Sequence, residues 1–222
     1  MLLSEADHDR VTAAVTAAEA HTDGEIVAVA AARSDAYHDV ALHWTVLAML
    51  LVLALLASVP TPVEWLHTLL VDSWSETTPR WYLTFALFLM AVTFLLARVL
   101  LSIDALRLAL TPGGTKSRRV HARALALFRT GAEKRTKAAT GVLLYLSMAE
   151  HRAEIIADEA IHSKVSADVW GEAMAALIAA VKDGRPGDGL ADAIGLIGQV
   201  LAEHFPRSEG DTNELPDRLI EL

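Results

Sequence analysis

The chain has 222 residues, of which 53% are hydrophobic and 21% are charged, and its formal net charge is −9. It contains no cysteine, which excludes disulfides, thiol catalysis and cysteine zinc sites and suits a reducing compartment. The acidic total argues against nucleic acid as the main partner, because a nucleic-acid-binding surface has to neutralise phosphates.

The first predicted elements are one helix and one strand. Residues 4–7 read Ser-Glu-Ala-Asp, which is the capping-box spacing of a side-chain acceptor with an acid three residues later. Apolar side chains recur at helical spacing as far as Ala18, and Asp23 with Gly24 supplies a stop, because glycine accepts the left-handed conformation that ends many helices. Residues 25–30 form a short apolar run between turn residues and are predicted to be a buried strand.

Two long apolar runs follow. Residues 40–59 contain no Asp, Glu, Lys or Arg, and residues 81–103 contain one such charge, Arg98. Crossing a hydrocarbon core of about 30 Å takes about 20 helical residues, so each run is long enough for one span. We therefore predict a transmembrane helical hairpin, with residues 63–71 lying flat on the outer surface. The alternative is a pair of core helices in a soluble protein, but core helices are usually shorter and have a polar face.

The flanking charges predict the orientation of this hairpin. Nine basic residues lie between residues 107 and 137, whereas the link between the runs has three acids and only Arg80. Because cytoplasmic loops have an excess of Lys and Arg, we expect the link outside the cell and both termini in the cytoplasm, in a multi-pass protein of the inner (plasma) membrane. The first run begins far from residue 1 and lacks a basic n-region and a cleavage site, so we expect no cleavable signal. Anionic lipid headgroups are the expected partners of the basic stretch, through Lys116, Arg118, Arg119 and Arg123.

Beyond the hairpin, the chain is expected to break at residues 111–114, which read Thr-Pro-Gly-Gly. Residues 116–137 have the pattern of an amphipathic helix with its charged face toward headgroups. Residues 142–147 and 153–157 are predicted strands, and the five residues between them are typical of a hairpin connection.

Two helices and a tail complete the predicted order. Ser166 is the expected N-cap of a helix that Gly184 ends, and Pro186 begins the last long helix. The tail is polar and acidic until its last apolar residues, which we expect to dock on the body of the domain. One helix and one strand before the hairpin cannot form a core alone, so the two soluble pieces must complete each other. The predicted organisation is a first domain part at 1–39, the hairpin at 40–103, a second domain part at 104–207 and a tail at 208–222.

In the order of its elements, the sequence resembles the TPM-domain family, and within it a two-span bacterial subgroup of membrane proteins. The matching segments are residues 3–7, 24–29, 140–147, 153–157 and 184–190. The resemblance implies an α/β fold, a small mixed sheet in a three-layer α/β/α domain, which is split here by the inserted hairpin. It also implies a choice of functions, since some relatives are described as acid phosphatases or calcium binders and others as assembly or repair factors. Two features depart from the family pattern: the hairpin divides the domain, and residues 158–162 replace the usual glycine-rich stretch after the third strand.

One polar cluster suggests a metal site. Asp158, Glu159 and His162 place two carboxylates and an imidazole at i, i+1 and i+4, and these groups hold a divalent ion such as calcium or magnesium if Asp158 and His162 share a helix face. The alternative is a capped helix start with solvated charges.

A second cluster is expected where the parallel strands end, because the carboxyl ends of such strands line the usual ligand crevice of α/β sheets. Asp35, His38 and Asp39 follow the first strand, and a serine, a histidine and an acid together would suggest hydrolysis. His38 is also explained as an interfacial residue. The residues of the second strand's end that would meet them are Ser147, Glu150 and His151.

Two functions remain open from the sequence. The first is a non-catalytic cytoplasmic interaction domain on a membrane hairpin, which assembles or maintains membrane protein complexes and binds a membrane protein partner. The second is a metal-dependent phosphatase that uses Asp158 and its neighbours. A channel or transporter is not favoured, because two spans with one edge Arg offer no polar pathway.

Overall fold

The computed structural model describes residues 2–59, 61–70, 78–131, 140–209 and 214–222. The chain divides into two compact units, Met1–Ala36 with Gly113–Leu222, and Tyr37–Pro112. Three basic residues of the predicted amphipathic helix and part of the predicted link lie outside the described residues: Lys134, Arg135, Lys137, Asp72, Trp74 and Glu76.

The first unit contains a four-stranded mixed sheet with helices on both sides. Its strands are β1 (Glu25–Ala31), β2 (Gly141–Ser147), β3 (Arg152–Ala157) and β4 (Ile220–Glu221). The order across the sheet is β3-β2-β1-β4. β1 runs parallel to β2 and β4, and β2 is antiparallel to β3. The helices of both units, in chain order, are α1 (Glu5–Glu19), α2 (His38–Ser58), α3 (Thr61–Leu70), α4 (Pro79–Leu100), α5 (Asp104–Ala109), α6 (Gly113–Gly131), α7 (Glu159–His162), α8 (Gly171–Lys182) and α9 (Pro186–His204).

The two faces of the sheet are covered by different helices, which confirms the predicted three-layer α/β/α class. α1, α8 and α9 pack on the face that presents Ile26, Val142 and Leu144, and α6 packs on the face that presents Val27 and Leu143. Every residue of β1 and β2 is buried, as expected for central strands covered on both sides. β1 pairs with β2, with Ile26 opposite Val142, so the pieces before and after the hairpin complete each other as predicted.

The predicted start of α1 is confirmed and its predicted end is wrong. Ser4 Oγ accepts a hydrogen bond from the N–H of Asp7, whose carboxylate accepts one from the N–H of Ser4, so the capping box is complete. The helix ends at Glu19 instead of at Gly24. A side chain on Gly24 would crowd Leu201, because a Cβ there would lie 2.9 Å from Leu201 Cδ1, which would have to shift.

The segment after the hairpin differs from expectation at its beginning. The helical break lies between Ala109, the end of α5, and Gly113, the start of α6, so it covers Thr111 and Pro112 as predicted while Gly113 and Gly114 are already helical. Further along, Gly184 adopts a φ of 75°, a left-handed conformation that agrees with the predicted helix stop. The tail docks as predicted, and it does so as a strand, because Ile220 and Glu221 pair with Val29 and Ala30.

The second unit contains α2 and α4, which pack against each other. They are, among the described residues, two helices long and apolar enough to cross a membrane by length and composition. α4 begins at Pro79, two residues before the predicted span, because Thr78 Oγ1 caps the helix by accepting from Trp81 N–H and proline suits the first helical position. α3, between them, buries Val63 and His67.

Candidate functional site at the carboxyl ends of β1 and β2

The ends of β1 and β2 lie side by side, with Ala31 opposite Ser147. The loops that leave the two strands stay in contact, because Met148 N–H donates to the carbonyl of Ala31 at 2.9 Å and Ala149 N–H donates to that of Ala32 at 3.0 Å. This is the sheet edge at which the sequence predicted a polar cluster.

Four side chains at this edge form what we call the hydroxyl network: Ser34, Tyr145, Ser147 and Glu150. The Ser147 hydroxyl donates to the Glu150 carboxylate in a short hydrogen bond. Ser34 donates to the same carboxylate through its backbone N–H at 3.0 Å. The Ser34 hydroxyl also lies 2.9 Å from both the Tyr145 hydroxyl and Ser147 Oγ. Tyr145, Ser147 and Glu150 are buried, so the network ties the loop after β1 to the end of β2.

Burial raises the pKa of the Tyr145 phenol, and hydrogen bonds from Ser34 and Ser147 oppose part of that rise. The phenol is therefore protonated at neutral pH and serves as a hydrogen-bonding group. The Ser147 hydroxyl donates a hydrogen bond to the Glu150 carboxylate, which also accepts one from the backbone N–H of Ser34. A nucleophilic serine requires a base that can take up its proton and release it again, and none of the four hydrogen bonds described for these residues joins an imidazole.

The other predicted members of this cluster are Asp35, His151 and His38. Asp35 forms an ion pair with Arg119 at 2.8 Å. His151 is exposed in the turn after β2 and has a φ of 49°. His38 is the first residue of α2 and belongs to the second unit.

Sequence reasoning missed two members of the network. Tyr145 lies two residues before Ser147 and on the same face of β2, since side chains on a strand alternate between faces. This spacing was available as a signal. No signal in the sequence pointed to Ser34, because only the path of the loop after β1 brings it to Glu150.

The three proposed metal ligands are not gathered into a ligand set. Asp158 is the N-cap of α7 with φ −63° and ψ 160°, so it is outside the helix and the i, i+4 argument for a shared face does not apply to it. Its carboxylate accepts a hydrogen bond from the N–H of Gly141 at 3.1 Å and is buried, whereas Glu159 and His162 are exposed. Across the described ranges, no group of three or more His, Asp or Glu side chains is placed to hold a metal ion.

These residues do line a cleft, which we call the edge cleft, of about 600 Å³ between α6, β3 and α7. Its apolar lining comes from Leu125, Phe128, Ile155, Ile156 and Ala157, and its polar lining from His121, Arg129, Asp158, Glu159 and His162.

The basic residues assigned to the membrane surface lie on α6. Arg119 is engaged with Asp35 inside the domain, and Arg118 lies 3.4 Å from Thr115 Oγ1. Lys116 and Arg123 complete the predicted set, and Arg123 contributes to the electrostatic environment of Tyr145.

Comparisons with known proteins agree with this architecture. Residues 108–200 match the model of a family described as the TPM domain. The NMR structure of the BA42 protein from the psychrophilic bacterium Bizionia argentinensis is similar, with a TM-score of 0.57 and 20% sequence identity over 99% of this chain and 95% of that one. No curated protein matches the chain. The chain therefore contains a TPM-domain match at residues 108–200 within a mixed α/β fold of the TPM type.

Proposed function

We propose that the protein is a TPM-like interaction domain anchored in the inner (plasma) membrane of a bacterium, where it assembles or maintains membrane protein complexes. The main support for membrane anchoring is the exposure of large apolar side chains along α2 and α4. Leu51, Leu55, Leu83 and Leu87 are each more than 60% exposed. Such a continuous apolar surface marks a lipid or protein contact, and the length of both helices fits a bilayer.

The charges support the proposed topology. α6 has five Lys and Arg residues and no Asp or Glu, and it follows the second apolar helix closely in the chain. A bias of this kind keeps a segment in the cytoplasm. Both termini then lie in the cytoplasm, and the link that contains α3 lies outside.

The hydroxyl network supports an interaction role over catalysis. Its hydroxyls and its carboxylate bond to one another and to backbone groups, an arrangement that fixes the loop after β1 and the end of β2. A rigid sheet edge suits a module that presents a constant surface to a partner.

The test is purification of the full chain from membranes in mild detergent with its native partners. A membrane protein that co-purifies in fixed proportion supports the proposal. A phosphatase assay of the same preparation, with and without calcium or magnesium, tests the alternative function of a metal-dependent phosphatase. The Asp158→Ala variant is assayed beside it. Metal-dependent turnover that disappears in the variant would replace the interaction role with a hydrolase.

A further inference from the structure

The two helical layers of the first unit carry opposite charge. α6, which covers one face of the sheet, has five Lys and Arg residues and no Asp or Glu. α1, α8 and α9, which cover the other face, together have eight Asp and Glu residues and two Lys and Arg residues. The net charge of −9 for the whole chain therefore conceals a separation of charge across the sheet.

The outward surface of α6 has small side chains along its centre. Val120, Ala124 and Phe128 are buried against the sheet. Successive residues of a helix are about 100° apart around its axis, so Ala122 and Ala126 lie on the side farthest from the sheet. Both alanines are exposed. The centre of this surface therefore consists of two methyl groups instead of a large anchoring side chain.

Arginine side chains flank these alanines on both sides. By the same helical spacing, Arg118 and Arg129 lie along one side, and Arg119 and Arg123 lie along the other. Arg119 is engaged with Asp35. The other three arginines are exposed, and among the described residues none of them forms an ion pair with an acid. We call this surface the cationic face: Arg118, Ala122, Arg123, Ala126 and Arg129.

A short tether joins the cationic face to the apolar helices. α4 ends at Leu100 and α6 begins at Gly113, and six of the residues between them form α5. At about 1.5 Å per helical residue and about 3.5 Å per extended residue, this segment spans at most about 35 Å. A bilayer that holds α4 therefore keeps its headgroups at a high local concentration around α6, so weak contacts are sufficient to hold the face there.

The chemistry of the cationic face fits phospholipid headgroups better than a protein. A protein partner is usually held by bulky anchors at the centre of the interface, with charged groups at its rim, whereas this centre is two alanines. Small central side chains let the arginines of both flanks reach one plane, and their apolar stems suit a membrane interface. Basic segments next to a membrane are attracted to anionic lipid within a Debye length of about 8–10 Å.

The opposite layer favours the same orientation. An anionic surface attracts α6 and repels the acidic layer of α1, α8 and α9. Both forces turn α6 toward the headgroups, so the separation of charge across the sheet acts as a single orienting device.

We propose that the cationic face docks on anionic phospholipid headgroups of the cytoplasmic leaflet and turns α1, α8 and α9 toward the cytoplasm. This inference rests on the membrane anchoring proposed above and adds a second contact with the bilayer. The face differs from the basic set expected from the sequence, because Arg119 is engaged elsewhere, Lys116 is partly buried and Arg129 is included. The acidic layer is then the surface that stays open to protein partners.

The experiment measures how far lipid shields α6 in the full chain. Because the chain has no native cysteine, a nitroxide spin label is attached at Ala122→Cys, on the cationic face, or at Ala13→Cys, an exposed position on α1. The protein is reconstituted in nanodiscs of phosphatidylcholine, with or without phosphatidylglycerol. Electron paramagnetic resonance then measures collisions of the label with a neutral, water-soluble nickel chelate.

Phosphatidylglycerol should shield position 122 and not position 13. We expect the label at position 122 to be at least about twofold less accessible in discs with phosphatidylglycerol than in discs without it. Salt at about 1 M should restore access, because the Debye length falls to about 3 Å. Equal access at position 122 in the two kinds of disc would overturn the proposal. Shielding that appears only after addition of a cytoplasmic protein fraction would assign the face to a protein and overturn it as well.

Two sets of substitutions separate charge from specific contacts. Glutamine at Arg118, Arg123 and Arg129 together removes three charges from exposed positions and should abolish the shielding of position 122. Lysine at the same three positions keeps the charge and should preserve the shielding, because attraction to headgroups depends on charge. An unchanged spectrum of the label at position 13 shows that both sets are folded. Shielding that survives the glutamine set, or is lost in the lysine set, would contradict docking on headgroups.

Alkaline extraction of membranes separates this inference from the proposed anchoring. If the wild type stays in the extracted membranes but position 122 is equally accessible in both kinds of disc, the anchoring stands and the docking fails. If alkali releases the wild type, and the neutralised protein floats with phosphatidylglycerol vesicles while the glutamine set does not, the anchoring fails and the lipid-binding face stands.

Discussion

Glu221 binds Leu3 across 218 residues of sequence. Its carboxylate accepts the N–H groups of Leu3 and Leu2 at 2.9 Å each, and it contacts the ring of His8 at the same distance. Partial burial alone would raise the pKa of Glu221, but the hydrogen bonds from Leu2, His8 and Leu3 outweigh it and lower the pKa to about 2. The two ends of the described chain are thereby held together beside β4.

This contact predicts a pH dependence of stability. Because the folded pKa lies below the ordinary value of 4.5, the contribution is complete above pH 4.5 and is lost as the pH falls from there through about 2. Glu221→Gln should lower the free energy of unfolding at neutral pH by on the order of 1 kcal/mol, since solvent screens a carboxylate near the surface. Thermal unfolding of both proteins between pH 7 and about pH 2 should show their difference shrinking at the acid end. A difference that stays constant over this range would contradict the assignment.

A second prediction concerns close packing of α9 on α1. A Cβ on Gly198 would lie 2.5 Å from the Cβ of Ala18 and 3.1 Å from its Cα, so the helices would have to separate. Gly198→Ala should destabilise the protein by about 1–3 kcal/mol, as overpacked core positions do. Gly195, on the same helix, has nothing within 4 Å of the corresponding position. Gly195→Ala is the matched control and should stabilise by about 0.5–1 kcal/mol, because alanine is the better helix former. Chemical denaturation measures both.

The hydroxyl network gives a third prediction. Ser147→Ala removes a donor from the buried Glu150 carboxylate, and a buried acceptor that loses its partner costs about 1–3 kcal/mol. Ser163→Ala is a suitable control, because that exposed hydroxyl donates only to a carbonyl of its own turn, and it should change stability by less than about 0.5 kcal/mol. Equal stabilities of the two variants would show that the network adds nothing to the fold.

The absence of native cysteine allows a direct test of topology. Single cysteines replace Glu209, after α9, and Thr61, at the start of α3, both of which are exposed. In intact cells a membrane-impermeant maleimide should label the protein with Thr61→Cys and spare the one with Glu209→Cys, and lysis should make the second site reactive. Labelling of both sites in intact cells would contradict the proposed orientation.

Local patterns in the sequence were sufficient for most of the first unit. The capping residues of α1 and the apolar runs of β1, β2 and β3 are short-range signals; the start of α1 and the three strands formed where they were expected. β4 could not be found in this way, because a two-residue strand has no periodicity and its pairing partner, Val29, lies far away in the chain. The hydroxyl network was found in part, since Ser147 and Glu150 are neighbours in sequence and Ser34 joins them only through the fold. The metal hypothesis assumed that Asp158 and His162 share a helix, but the backbone of Asp158 is extended. Residue spacing alone does not show where a helix begins.

The position of β1 has a consequence for biosynthesis. It is made before the hairpin, yet both strands that flank it, β2 and β4, are made after the hairpin. On the ribosome β1 has no partner strand until the hairpin and β2 have emerged. Its second partner strand, β4, is complete only when residue 221 has been added. The first unit therefore closes late, after the apolar helices have left the ribosome, and a nascent chain interrupted before β4 would expose one side of its central strand.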